Sequence, residues 1–478
     1  MSKKFYITST LPYVNAEPHI GFALEMVQAD TVARYQRQQG VEVFFNTGTD
    51  EHGLKIYRQA EEAGKDVQAY VDAHAAKFDK LKSALNLSYN AFIRTTNPDH
   101  IRAVQHFWQL CDRKGDIYKK NYKVKYCVGC ELEKTDSELV DGRCPLHPNK
   151  ELEIIEEENY FFKFSNYQDK LLKLYNDNPN FIIPDYRLTE IRNFVQEGLE
   201  DFSISRLKSK MPWGVEVPGD QKHVMYVWFD ALINYISTLG WPEDKKFKEF
   251  WPGLQVAGKD NLRQQSAMWQ AMLMSADLPT TKQIFIHGFI NIAGGKMSKS
   301  LGNVIDPFEL VEKYGTEPVR YYLLRYIHPV QDSDFSIEQF EESYTADLAN
   351  GLGNLVNRVT GLIEQNDVEI KLGKVKDNIF SKHHVGNLID DFKFDQALKY
   401  IWNMISSLDS NISQVKPWEL AKEGKTKMLS EFLNSSAKGL YEISQLLVPF
   451  LPETAKKMEG IITAKKIMKG PALFPRLD

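Results

Sequence analysis

Phe5-Tyr-Ile-Thr-Ser-Thr-Leu-Pro-Tyr-Val-Asn-Ala-Glu-Pro-His-Ile-Gly21 is the stretch whose reading sets the architecture. Phe5 to Ser9 is rich in β-branched and aromatic residues and reads as a strand, whereas Gly21 to Arg37 reads as a helix. The loop between them delivers His19 and Gly21 to a helix N-terminus. Unpaired backbone N–H groups and the positive end of the helix dipole suit a phosphate there, and a glycine lets a ligand approach the backbone. An ordinary strand-to-helix turn with a capping histidine is the competing reading, and so short a match does not decide between them.

Far downstream, Lys296-Met-Ser-Lys-Ser300 follows Gly294-Gly295 and precedes Leu301-Gly302-Asn303. Two lysines and two hydroxyls thus sit on a loop whose flanks permit unusual backbone angles, the composition of a mobile cationic lid. Nucleotidyl transfer is catalysed by positioning and by neutralising charge on phosphate oxygens, which a lysine carried in by loop closure does. A solvated basic turn is the alternative.

The chain has four cysteines, too few for a disulfide scaffold in 478 residues. Cys127-Val-Gly-Cys130 is followed, after thirteen residues, by Cys144-Pro-Leu-His147. Three thiolates and one imidazole make a complete tetrahedral set for a structural Zn2+ with no open position for chemistry. A redox pair at Cys127 and Cys130, with His147 incidental, is the alternative. Cys111 stands apart in the apolar segment Phe107-Trp-Gln-Leu-Cys111 and reads as a buried thiol.

Length and 43% hydrophobic content allow about three domains with substantial cores. No apolar leader and no run of eighteen apolar residues is present, so a cytoplasmic protein without membrane contact is expected. A net charge of −5 argues against a nonspecific nucleic-acid coat but leaves room for a local basic patch, for which Lys456, Lys457, Lys465, Lys466 and Lys469 are candidates beside the plainer reading of solvated lysines.

Short apolar runs at Phe5–Ser9, Val41–Asn46, Val224–Trp228, Leu254–Ala257 and Ile284–Ile286, with a helix near Val67–Leu85, predict a buried parallel α/β sheet whose ligand lies at the carboxyl edge. Trp228, Gly258 and His287 fall at or just after three of these ends. Beyond residue 345 the periodicity becomes helical. Leu348, Leu352, Leu355, Val356, Val359, Leu362 and Ile363 form one stripe; Leu398, Ile401, Trp402, Ile405, Leu408 and Ile412 form a second; Leu429, Phe432, Leu433, Leu440, Ile443 and Leu447 form a third. They predict an α-helical bundle. Asn354 and Arg358, four residues apart, share a face away from the first stripe and are expected to be free to meet a partner.

Taken jointly, Pro18-His-Ile-Gly21 and Lys296-Met-Ser-Lys-Ser300 resemble the two signatures of class I aminoacyl-tRNA synthetases. Leu11-Pro-Tyr-Val-Asn15, Gly48-Thr-Asp-Glu-His-Gly53, Ser203-Ile-Ser-Arg206, Tyr226-Val-Trp-Phe-Asp-Ala231, Gly258-Lys-Asp260 and His287-Gly-Phe-Ile290 are similar to the methionyl-tRNA synthetase family. The resemblance implies a Rossmann-like parallel-sheet catalytic domain split by a zinc-binding insertion and followed by an all-α anticodon-binding bundle. The corresponding boundaries are 1–115 and 221–345 for the catalytic halves, 116–220 for the insertion and 346–478 for the bundle. It implies that methionine is activated with ATP and Mg2+ and transferred to tRNA(Met).

On the family pattern, His19, Lys296 and Lys299 are the catalytic residues, and His19, Gly21, His287, Gly288, Phe289, Ile290 and Lys299 bind ATP. Leu11, Tyr13, Asp50, Arg206, Trp228, Ala231, Tyr235, Asp260 and Trp269 shape the methionine pocket, with Asp50 facing the ammonium and Arg206 and Asp260 acting as a charged pair. Core packing is the simpler role for Tyr235 and Trp269. Asn354 and Arg358 would read anticodon base edges and Trp418, after Lys416-Pro417, would stack on a base, although a tryptophan after proline also suits a helix start. Two departures stand out: Phe22 replaces the second histidine of the first signature, and Gln265 replaces a histidine common near the pocket. A different class I enzyme for leucine, valine, isoleucine or cysteine, and a tRNA-binding relative without activity, are the rival readings. A monomer is expected.

Overall fold

The computed structural model describes residues 3–134, 136–292, 295–296, 304–372 and 379–477. Strand β1 (Lys4–Thr8) leads through the signature loop into helix α1 (Ile20–Gln38), then β2 (Glu42–Thr49), α2 (Leu54–Glu62), α3 (Val67–Ala84), β3 (Ala91–Arg94) and α4 (Pro98–Arg113). Their starts are written in the sequence: Asp66 caps α3 by accepting from the Ala69 amide, and Asn97 caps α4 with Pro98 at the first position.

Six strands form one wholly parallel sheet in the spatial order β3, β2, β1, Leu254–Gly258, Gln283–His287, Ile182–Ile183. β1 pairs on one side with β2, Tyr6 opposite Phe44, and on the other with the Leu254 strand, Ile7 opposite Leu254. Strand order reverses at β1, so the crevice beyond its carboxyl end is where such a sheet takes a ligand.

One of the expected parallel strands is not there. Asp220–Met225 is an antiparallel strand that pairs Val224 with Arg206 and Met225 with Ser205, and a helix, Val227–Ala231, begins two residues later. A five-residue apolar run whose first four residues are buried fits either element, and periodicity alone does not separate them. β3 and Ile182–Ile183 were not foreseen; the first is four half-buried residues, the second two residues before Pro184.

Between the halves, an antiparallel sheet joins Leu132–Lys134, Ile117–Cys127, Glu153–Phe162 and Phe202–Ser203. Cys111 is fully buried, and burial pushes its thiol up to about 12, as expected of an inert thiol.

The three helical stripes appear as wide π-type turns over Tyr344–Gly353 running into Asn354–Gln365, then Phe394–Val415 and Thr426–Leu447, followed by Pro452–Ile462. One apolar core continues from α1 into these helices. Arg320, on helix Thr316–Arg325 and wholly buried, ties them together: it pairs with Asp30 of α1 at 2.8 Å and donates to the carbonyls of Leu85, Pro449 and Phe450. Among the described residues, no helix is long and apolar enough to cross a membrane.

Candidate active site

His19 caps α1 in an extended conformation, and its Nδ1 accepts from the Gly21 amide at 3.1 Å, which places the ring proton on Nε2. The capping reading of this histidine is therefore correct as local geometry, and it leaves an exposed imidazole at the helix N-terminus. Deeper in, Glu25 of α1 accepts from the Thr10 amide and hydroxyl, both at 2.6 Å, and from His287 Nε2 at 3.0 Å. His287 Nδ1 meets the Gly288 carbonyl at 2.8 Å. Burial opposes charge on this imidazole, but the Glu25 carboxylate outweighs it and raises the pKa. The Phe289 amide donates to Asp332, whose partner Lys259 lies over the Phe289 ring at 4.5 Å. A Cβ on Gly288 would stand 2.3 Å from the Gln331 carbonyl, so only glycine fits this approach. Ile290 is buried at the start of the next strand.

The backbone of Gly295–Lys296 pairs with Ile290–Ile292, Lys296 opposite Asn291. Lys299 lies outside the described residues.

Next to this end lies a group of polar side chains sealed from water. The turn Asp50–Gly53 after β2 is anchored residue by residue: the Asp50 amide donates to the Pro12 carbonyl, Glu51 receives Arg94, and His52 Nδ1 meets Asp230 at 2.6 Å. Asp230 takes His100 Nε2 on its other oxygen at 2.9 Å. Burial alone would raise the Asp230 carboxyl; the two imidazoles overcome it and hold it at about 2.

Asp50, by contrast, has no such relief. Burial, then the charges of Asp230 and Glu131, push its carboxyl well above the ordinary carboxylate range. Its Oδ1, the Tyr13 hydroxyl, Trp228 Nε1, Trp269 Nε1 and Gln265 Oε1 are all buried with no hydrogen-bond partner among the described residues. Each such atom costs about 1–3 kcal/mol, and a group of them marks a place that a polar ligand completes.

Tyr13 and Trp228 pack in one small apolar cluster, and Tyr235 and Trp269 face each other with ring centroids 5.9 Å apart. Gln265 Nε2 donates to the Tyr235 hydroxyl at 2.6 Å. Ala231 is buried beside Trp228 on the same short helix, and Leu11 is half-buried in the loop. Arg206 is buried, donates to Ser203 Oγ and the Ser205 carbonyl, and lies 4.5 Å from the Tyr226 ring. Asp260 is exposed, 2.9 Å from where a Gly258 Cβ would be. Phe22 is turned to α3, edge-on to Phe78 at 5.5 Å.

In the insertion, Cys130 Sγ lies 3.5 Å from Cys127 Sγ, 3.3 Å from Cys144 Sγ and 3.2 Å from His147 Nδ1. Ligands about 2.3 Å from a tetrahedral ion stand about 3.8 Å apart, and all four donor atoms here lie within 4.8 Å of one another, so the set fits a structural zinc. A Cβ on Gly129 would overlap the His147 ring at 2.5 Å, which explains that glycine.

On the bundle, Asn354 and Trp418 are exposed, but Arg358 is not free as expected: its guanidinium donates to Asp409 of the neighbouring helix. Lys416, which ends that helix, has a left-handed φ of +50° that turns the chain into Pro417. Lys456, Lys457, Lys465, Lys466 and Lys469 are all exposed.

Sequence reading did not single out Glu25, Glu131 or His100. A carboxylate one helical turn beyond Gly21, on a helix otherwise buried on that side, was the available signal for Glu25; the other two are recruited by contacts far apart in the chain.

The family model for tRNA synthetases class I (M) matches residues 5–153 and 148–360. Methionine–tRNA ligases of Caldanaerobacter subterraneus and Thermotoga maritima are each 41% identical, over 100% and 95% of this chain and 80% and 74% of their own lengths. The Mycobacterium tuberculosis methionyl-tRNA synthetase in complex with methionyl-adenylate superposes with a TM-score of 0.92 at 36% identity, covering 99% of this chain and 100% of that one. Its free form gives 0.85 at 32% identity, covering 100% and 99%. Matched across most of its length by one family model and along its whole length by these ligases, the chain belongs to the class I tRNA synthetases of the methionine branch.

Proposed function

We propose that this chain is a methionine–tRNA ligase, which makes methionyl-adenylate and pyrophosphate from L-methionine and ATP and then esterifies the 3′ end of tRNA(Met), in the cytoplasm. The observation that carries the reading is the sealed group of unpartnered polar atoms on Asp50, Tyr13 and Trp228, set among aromatic walls at the carboxyl edge of the sheet beside the N-terminus of α1.

Asp50 faces the substrate ammonium, and the thioether lies against Tyr235, Trp269 and Trp228, where sulfur–ring contacts add to plain burial. Leu11, Tyr13 and Ala231 close the pocket, and Arg206 and Asp260 help shape it around methionine and ATP. ATP enters as its Mg2+ complex, the adenosine along His287 to Ile290 and the phosphates at Gly21 and His19. The methionine carboxylate attacks the α-phosphate in line, so no enzyme nucleophile is needed. A bond forms from carboxylate oxygen to phosphorus as the bond to the bridging oxygen breaks, and Lys299, Lys296 and His19 stabilise the charge that passes to pyrophosphate. With Nδ1 taken by the Gly21 amide, His19 offers Nε2–H to a phosphate oxygen.

The bundle, 346–478, reads the anticodon through Asn354, Arg358 and Trp418, with Arg358 exchanging Asp409 for a base edge. The test compares two assays of one preparation, methionine-dependent pyrophosphate exchange and charging of a tRNA(Met) transcript. Trp418→Ala is expected to cut charging about a hundredfold and exchange less than about twofold; equal loss in both would contradict the assignment.

A further inference from the structure

The zinc knuckle carries a residue that the metal does not need. Glu131 follows Cys130 directly, is 1% exposed, and adopts φ +52°, the left-handed region that a non-glycine residue seldom occupies. A buried carboxylate on a strained backbone persists only where the surroundings impose it.

The surroundings here are the two elements that make the amino-acid pocket. Glu131 Oε1 accepts from the Lys55 amide at 2.7 Å, in the first turn of α2. That helix begins straight after the Asp50–Gly53 turn and its own N-cap, Gly53, supplies no side-chain bond, so Glu131 caps it from the insertion. Lys55 Nζ adds a second tie, to the Gly129 carbonyl at 3.3 Å. Oε2 accepts from the Tyr126 hydroxyl, and the Glu131 carbonyl accepts from the Tyr226 hydroxyl. Tyr226 is the N-cap residue of Val227–Ala231, the helix that carries Trp228 and Ala231. Arg206 lies over both tyrosine rings, 5.2 Å from Tyr126 and 4.5 Å from Tyr226, and offsets the carboxylate. The contact with the pocket is close: a Cβ on Gly53, whose φ is +118°, would stand 3.2 Å from Glu131 Oε1 and 3.2 Å from the Tyr13 hydroxyl.

We propose that Glu131 is a positioning residue through which the zinc knuckle sets the register of the Asp50 turn against the Trp228 helix, and so the affinity for the amino acid. The role rests on the methionine-binding reading above. It is exerted by hydrogen bonds to Lys55 and Tyr126, with the backbone carbonyl on Tyr226, and not by direct contact with substrate.

The test uses the full zinc-loaded chain and its variants Glu131→Ala and Glu131→Gln, with zinc content by metal analysis, methionine Kd by calorimetry without ATP, and the ATP KM in pyrophosphate exchange. Glu131→Ala is expected to keep its zinc, to weaken methionine binding about tenfold and to move the ATP KM less than about twofold. Glu131→Gln, whose amide oxygen still accepts from Lys55 and whose NH2 donates to Tyr126, is expected to recover methionine affinity to within about threefold of the parent. An unchanged methionine Kd in Glu131→Ala, loss of zinc, an equal loss of ATP and methionine affinity, or a glutamine variant as weak as alanine each overturns the proposal. A parent chain that binds no methionine overturns the substrate reading itself, and this proposal with it.

Discussion

Asp50 is where the chemistry of a single side chain is most exposed to measurement. Its carboxyl is raised by burial first and by Asp230 and Glu131 after that. A raised value means that protonation begins above the ordinary value of 3.8, and the protonated form no longer attracts an ammonium. Methionine affinity should therefore fall as pH is lowered, starting above the usual carboxylate range, while Asp50→Asn should bind about a hundredfold more weakly with a flat profile over the same range. Calorimetry at stepped pH checks this, and parallel profiles for parent and variant would count against it. Phe22 makes a second test. Its ring is engaged with Phe78, so Phe22→His is expected to lower stability by about 1–2 kcal/mol while changing the ATP KM less than about threefold. A tenfold fall in that KM would show instead that the position faces phosphate. His19 drew its expected role from its own local string, a histidine and a glycine at a helix start, whereas Asp50 was nominated only by the resemblance of Gly48–Gly53 to the family. Glu131 and Asp230 drew no role from the sequence, because what they do is set by partners 76 and 178 residues away.

Elements were legible where periodicity ran long. The α1 helix ends within a residue of its expected bounds and the three bundle stripes fall inside helices that begin three or four residues before them, whereas Val224–Trp228 misled because burial of nearly the whole run erases the difference between a period of 2.0 and one of 3.6. Two-residue Ile182–Ile183 carries too little pattern to find; it exists because the Gln283–His287 strand offers it an edge. The knuckle was legible from ligand spacing alone, since two chelating turns are a local property. Replacing Cys127 by Ser should cost the bound zinc and, because Glu131 hangs from the same turn, also weaken methionine binding. Metal analysis and calorimetry together check it; zinc loss with unchanged methionine affinity would separate the knuckle from the pocket.

At the scale of the whole molecule, the sheet body and the helical bundle are joined through a buried charge. Burial raises the Asp30 carboxyl, but Arg320 and Arg34 outweigh it and bring it below the ordinary value of 3.8. The stability it contributes is present above that value and is lost as pH falls through the lowered one. Arg320→Met removes one of the two guanidinium partners of Asp30, leaving Arg34 at 2.7 Å, and takes the Arg320 donor from three carbonyls, an expected loss of about 3–5 kcal/mol in urea unfolding. A loss below about 1 kcal/mol would mean that the joint is held by apolar packing alone. The central claim, that this whole assembly activates methionine, is tested most directly by pyrophosphate exchange into ATP with methionine, leucine, valine, isoleucine and cysteine in turn. Exchange driven by methionine alone, and abolished by Lys299→Ala, is the predicted result; no exchange with any of them, in folded and zinc-loaded protein, would contradict it.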